Sequence, residues 1–250
     1  MTATLDRAVF FDRVRKPLFG GSLTAEQVQG MDAIFDACPA ALPTDPLAYC
    51  LATALREAGP TMQPIREYGR GKGKSYGKLA GPYKQAYYGR GLVQLTWQAN
   101  YVNATDKLRK LGLLKPDEDL ARTPDLALRP DIAAEIMFHG MVGGWFTGKK
   151  LGDYFGHGKS NPHGARAIIN GTDKAALIAG YFTHFRAALV AAKHGAVTQA
   201  AVTPATPPVP AAAPAKPKPI SDKHAVVSKP AAVQKRTAPV AHVVQKAKRR

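Results

Sequence analysis

Apolar residues at Leu5, Val9, Phe10 and Val14 recur at helical spacing and predict a first helix over residues 3–16, broken by Gly20-Gly21. Thr24-Ala-Glu-Gln27 has the form of a capping box, opening a second helix that runs through Phe35. After a linker from Pro39 to Pro43, Thr44-Asp45-Pro46 starts a third helix, with proline where no amide donor is needed. Leu47, Cys50, Leu51, Ala54, Leu55 and Ala58 form its apolar stripe, Gly59-Pro60 stops it, and Glu57 lies at the stripe's margin. Residues 62–88 are rich in glycine, tyrosine and lysine without a sustained period, so they predict a long ordered loop with room for a short hairpin. A short buried segment, residues 92–96, leads into a helix through Lys110 that ends at Gly112. Pro130 opens a helix over residues 131–145 with Ile132, Ile136 and Val142 inward, and residues 173–193 form the last, with Leu177, Tyr181, Phe185, Ala188 and Leu189 as its stripe. The expected fold is mainly α, one domain over residues 1–195.

From residue 196 the pattern stops. Pro204-Ala-Thr-Pro-Pro-Val-Pro and Ala213-Pro-Ala-Lys-Pro-Lys-Pro cannot build a core, and the chain finishes in Lys246-Ala-Lys-Arg-Arg250. Residues 196–250 are therefore expected to be a disordered basic tail. They hold ten Lys/Arg against Asp222 alone, a net +9, which leaves +8 of the chain's +17 for the domain. Both parts suit an anionic partner. For the tail this means contact with an anionic envelope, tethering to a wall, or a solubilising role. The start of the chain is charged at Asp6, Arg7, Asp12, Arg13, Arg15 and Lys16 and has no apolar core of secretory length, so no signal peptide is expected. No transmembrane segment is expected either, which predicts a product soluble in the cytoplasm as synthesised. Cys38 and Cys50 are too few for a disulfide framework and read as buried thiols.

Some motifs carry no chemistry. Gly69-Arg-Gly-Lys-Gly-Lys-Ser75 looks like a phosphate loop, but the position five before Gly73 is Tyr68 where the pattern needs glycine. His139, His157, His163 and His184 lack metal-type spacing and a carboxylate partner, so no metal site is expected. There is no nucleophile elbow.

Glu57 and Glu67 stand ten positions apart, one ending an apolar helix and one in the loop beyond. A glutamate facing a cleft from an apolar helix loses hydration when ionised, which suits it to donate a proton. Glu67, among Arg66, Arg70 and Lys72, is expected to stay ionised and to activate water. By spacing alone, however, two glutamates read as ordinary surface charge. The segment Tyr87-Tyr-Gly-Arg-Gly-Leu-Val-Gln-Leu-Thr-Trp-Gln-Ala-Asn-Tyr101 changes that reading. Gly89 and Gly91 permit close backbone approach, Gln94, Thr96 and Asn100 offer neutral hydrogen-bonding groups, and Trp97, Tyr87, Tyr88 and Tyr101 offer faces for sugar rings. Neutral polar groups and aromatics around acids are what a polysaccharide cleft needs.

This segment resembles the signature of glycoside hydrolase family 19. Residues 52–58 resemble that family's catalytic run, and Met62-Gln-Pro-Ile-Arg-Glu-Tyr-Gly69 its continuation in the phage and bacterial branch. Arg166-Ala-Ile-Ile-Asn-Gly171 is similar to a third family motif. The resemblance implies a lysozyme-like helical domain with a substrate cleft and no metal or cofactor. It implies inverting hydrolysis of β-1,4 bonds with Glu57 as general acid, Glu67 as general base, Thr96 holding the water, and Gln94, Asn100 and Asn170 contacting sugar; Tyr88 and Trp97 join the expected substrate-binding set. Arg56, Ala58 and Leu92 depart from the family's usual residues, and Arg56 sets a cation beside the acid.

The expected partner is peptidoglycan, reached after release by a holin or another route as for an endolysin, with chitin as the alternative substrate. The rival of another class is a non-catalytic module binding wall or nucleic acid by charge. It is disfavoured because the aromatics cluster with the acids rather than along the basic tail. No specific nucleic acid is expected, and a monomer is.

Overall fold

The computed structural model describes residues 5–195, so the basic tail lies outside the described residues. Six α-helices carry this part of the chain: α1 (Arg7–Phe19), α2 (Ala25–Asp36), α3 (Thr44–Glu57), α4 (Gln98–Lys110), α5 (Pro130–Gly143) and α6 (Ala175–Ala191). Strand structure among the described residues is confined to two antiparallel pairs, β1 (Ile65–Arg66) with β2 (Arg90–Gly91) and β3 (Phe155–Gly156) with β4 (Lys159–Ser160). The mainly α expectation holds.

The organising element is α3. Every residue from Pro46 to Leu55 is buried, so the helix is apolar on all sides and has to be enclosed by others. It lies along α6, which α1 also covers. Tyr49 of α3 meets Phe155 and Phe182 with ring centroids 5.3 and 6.4 Å away. Phe10 of α1 packs edge-on against Phe35 at 4.8 Å and stacks on Phe185 at 6.2 Å. Each such side chain contributes roughly 1.5–3 kcal/mol by leaving water. The core thus fixes the C-terminal end of α3, and with it Glu57.

Helix boundaries follow local chemistry. The Asp6 carboxylate accepts from Val9 N at 3.0 Å, so α1 starts at Arg7, later than the apolar spacing predicts, and it runs past Lys16 to Phe19. The Thr24–Gln27 capping box forms as expected. Helix α5 stops short of Trp145, because Gly144 turns left-handed with φ 69°. Val142, expected inward, is 45% exposed; it shares the polar strip of α5 with Asp131, Glu135 and His139. On α6 the buried strip is Ile178, Phe182, Phe185 and Leu189, one position round from the expected Leu177 and Tyr181. That helix is apolar enough for either strip to satisfy the spacing. Both cysteines are free; Cys50 is buried as expected, whereas Cys38 is only partly buried. Cys50 sits against Met141 at 3.8 Å, and burial pushes the Cys38 thiol up to about 12, so neither is a nucleophile at neutral pH.

Candidate active site

The loop between α3 and α4 is closed at its base by β1 and β2, in the register Ile65↔Gly91 and Arg66↔Arg90. Gly91 takes φ +86°, and a Cβ there would stand 2.8 Å from the Ala127 carbonyl oxygen, so this crossing admits no side chain. Farther out, residues 69–78 fold as successive turns, Lys72 N to Gly69 O, Lys74 N to Gly71 O and Gly77 N to Lys74 O, each near 3 Å. A Cβ on Gly77 would lie 2.0 Å from the Gly71 carbonyl oxygen. The glycines that imitate a phosphate loop therefore serve compaction, and the compaction brings Tyr76 inward.

Tyr76 is one functional residue that the sequence reading missed. Its hydroxyl donates to Glu67 Oε1 at 2.8 Å, while Gly89 N donates to Glu67 Oε2 at 3.0 Å and Glu67 N to Gly89 O at 2.7 Å. Burial, and then the neighbouring Glu67 carboxylate, hold the Tyr76 phenol above its ordinary value, so it is a firm donor. The expected basic neighbours do not hold Glu67. Arg66 instead pairs with Asp125 at 2.7 Å, as Arg90 does. Tyr76 also meets Trp97 edge-on, centroids 5.3 Å apart at 78°. Nothing in the sequence pattern marks Tyr76, because its role depends on how the turns fold.

Glu57, last residue of α3, faces a hollow of about 490 Å³ lined also by Tyr76, Gln94, Thr96, Trp97, Asn100, Phe146, Ile169 and Asn170. Six of the eight expected site residues are thus brought to one place: Glu57, Gln94, Thr96, Trp97, Asn100 and Asn170. Glu67 borders a second hollow of about 510 Å³ with Ile65, Arg66, Arg70 and Leu128, and Tyr76, which lines the first, bonds to Glu67 through its hydroxyl. Tyr88 is not brought to the Glu57 hollow. It is 8% exposed, and its ring lies under the Arg90 guanidinium at 3.7 Å. Tyr87 and Tyr101, also expected to face sugar, are buried against each other at 5.3 Å.

The polar wall is held by its own backbone. Thr96 Oγ1 donates to Gln94 O at 2.8 Å, Asn100 Nδ2 to Thr96 O at 2.8 Å, and Gln94 Nε2 to Ile65 O and Gly91 O at 3.2 and 3.1 Å. Gln94 and Trp97 both take positive φ, 54° and 75°, a conformation that costs a non-glycine residue of order 1–3 kcal/mol. The remaining lone pairs of these amides and the hydroxyl are the groups available to a ligand. Across the hollow, Arg166 Nη1 bonds Glu57 Oε1 at 2.5 Å and its Nε bonds Asp173 O at 2.8 Å. The Arg166 side chain is only 3% exposed and Glu57 16%. A segment anchored by Thr147 Oγ1 on Ala167 O and Ile168 O delivers Arg166, Ile169 and Asn170 together. The cation on Glu57 is thus Arg166, whereas Arg56 is half-buried, makes no hydrogen bond to Glu57, and does not line the hollow. An acid ending an apolar helix needs such a partner, but the sequence does not say which arginine supplies it.

One expectation on the histidines is corrected: Glu135 stands one helical turn from His139, Oε2 to Nε2 3.1 Å, so that ring does have a carboxylate partner. Among the described residues no group of three or more His, Cys, Asp or Glu is placed to hold a metal, and no helix is long and apolar enough to cross a membrane.

Tyr76→Phe keeps the ring against Trp97 and removes only the donor to Glu67. On the glycoside hydrolase reading proposed below, it is expected to lower kcat roughly tenfold with a smaller change in KM, the size of one hydrogen bond to a charged group at a partly solvated site. Steady-state kinetics on soluble oligomers would measure the split.

No protein-family model matches the chain, and no curated protein does. Among solved structures it is similar to chitinase C from Streptomyces griseus HUT6037, at 24% identity and TM-score 0.44, over 74% of this chain and 76% of that one. It is also similar to a bacterial family 19 chitinase, at 23% identity and TM-score 0.43, over 72% of this chain and 92% of that one. At such identities and TM-scores neither likeness assigns an activity, which rests on the residues around Glu57.

Proposed function

We propose that the chain is an inverting glycoside hydrolase of the family 19 type, cleaving β-1,4 bonds in the glycan of peptidoglycan. The observation that carries this is the company of Glu57: a half-buried carboxyl opening on a hollow lined by three amides, a hydroxyl and an exposed indole, Gln94, Asn100, Asn170, Thr96 and Trp97. Trp97, 52% exposed, is the face on which a sugar ring stacks, and the neutral groups bond its hydroxyl and acetamido substituents.

In this reading Glu57 is the general acid. Its Oε1 is engaged by Arg166, which leaves Oε2 to pass a proton to the glycosidic oxygen as the bond breaks. Glu67, held by Tyr76 and Gly89, is the general base that takes a proton from water. Thr96 is the group that orients this water for attack on the opposite face of the ring. Inverting enzymes need about 6.5–9.5 Å between the two carboxyls to admit it. Peptidoglycan is favoured over chitin because the chain is strongly basic, net +17, which suits an anionic cell wall and not a neutral glycan, and because residues 62–69 resemble the phage and bacterial branch. Incubating the purified protein with isolated, insoluble cell wall should release new reducing ends. A protein that binds the wall and releases none would favour the non-catalytic module instead.

A further inference from the structure

Charge in this chain is unevenly placed around the cleft. Residues 58–105 contain seven Lys/Arg, and Glu67 is their sole carboxylate, so this stretch supplies +6 of the domain's +8. Arg66 and Arg90 are used structurally, both paired with Asp125. The other five, Arg70, Lys72, Lys74, Lys78 and Lys84, are all exposed, and none forms a salt bridge among the described residues. Four of them sit on the turns that carry Tyr76 into the hollow, with Lys74 and Lys78 two residues to either side of it, and Lys84 follows on the Gly81–Lys84 turn. The turn packing of Gly71 on Gly77 keeps residues 69–78 compact, so Lys72, Lys74 and Lys78 are held near Tyr76, which lines the Glu57 hollow, while Arg70 borders the hollow beside Glu67.

A solvated basic face would need no such position. Five unpaired cations beside a glycan groove repel one another, a cost that an anionic ligand offsets. The glycan of chitin is neutral. Peptidoglycan carries peptide stems with free carboxylates hanging from alternate sugars. We propose that Arg70, Lys72, Lys74, Lys78 and Lys84 form a cationic lip that takes the stem carboxylates of peptidoglycan while the glycan strand occupies the groove. This rests on the glycosidase reading above and adds to it the groups that discriminate wall from chitin.

The test uses the full chain with Lys72, Lys74, Lys78 and Lys84 changed together to glutamine, since none of the four lines the Glu57 hollow. Activity is measured at low and moderate salt on three substrates: isolated peptidoglycan, peptidoglycan whose carboxylates have been amidated, and neutral chitin oligomers. The lip predicts that KM for intact peptidoglycan rises roughly tenfold at low salt with kcat little changed, and that the difference shrinks as salt screens the charges. It also predicts that variant and wild type behave alike on amidated wall and on chitin oligomers. Equal KM for intact wall would overturn the lip. A defect that persists on amidated wall would overturn the carboxylate assignment, pointing to phosphate groups of other wall polymers. If the wild type cleaves chitin oligomers but not wall, the peptidoglycan reading fails by itself. The lip is then judged by co-sedimentation of Glu57→Gln protein with wall, with and without the four lysines: weaker binding without them keeps it, and equal binding removes it.

Discussion

Glu57→Gln is expected to abolish glycan hydrolysis, lowering kcat by at least about 10³-fold, because no other group at the Oε2 position can deliver a proton to the leaving oxygen. The substitution is nearly isosteric, and its amide oxygen can still accept from Arg166 Nη1, now 2.5 Å from Glu57 Oε1. Arg166, 3% exposed, would nevertheless lose its counter-charge, so a fall in stability on the order of 1–3 kcal/mol should accompany the loss of activity. Circular dichroism and a thermal melt would show a folded, somewhat less stable protein. Retained activity would remove Glu57 from the mechanism.

The second large effect is at Arg166. Arg166→Met fills much of the same volume but strips the charge and the bonds to Glu57 Oε1 and Asp173 O. Breaking a buried pair from one side costs about 3–5 kcal/mol, and the lower end applies here because Glu57 keeps 16% of its side chain in reach of water. Activity should fall as well, since the acid loses the contact that aims it across the hollow. The double variant, Glu57→Gln with Arg166→Met, is expected to be less destabilised than the two singles added together, because an unpaired charge no longer remains. Strict additivity in denaturant unfolding would mean that the two side chains do not act as a pair.

Much of the domain was legible because its signals are local. The capping box at Thr24–Gln27 depends on four consecutive residues, and the stop at Gly59-Pro60 follows from backbone chemistry, so the end of α3 and the place of Glu57 could be read directly. The wall of Gln94, Thr96, Trp97 and Asn100 was legible for a similar reason, since one short segment carries all four into the hollow. What failed was anything decided by packing. Val142 and Leu177 satisfy helical spacing, but a neighbouring strip of the same helix won the core. Tyr87, Tyr88 and Tyr101 look like sugar platforms until the Arg90 guanidinium and the core take their faces. Tyr76 and Arg166 were missed as functional groups because each acts on a carboxylate far away in sequence, 9 and 109 residues respectively. Arg56 drew attention through adjacency in sequence, although adjacent residues on a helix point about 100° apart and the cation that matters came from another segment.

The most direct test of the two-carboxylate mechanism is the configuration of the sugar released. Proton NMR during the first minutes of cleavage of a β-linked oligomer should show the new reducing end formed as the α-anomer, before mutarotation mixes the signals. That result means water attacks the face opposite the leaving group, the step assigned to Glu67 as base with Glu57 as acid. Initial appearance of the β-anomer would contradict it, because retention needs a covalent or substrate-assisted step in which Glu67 does not play the part assigned to it.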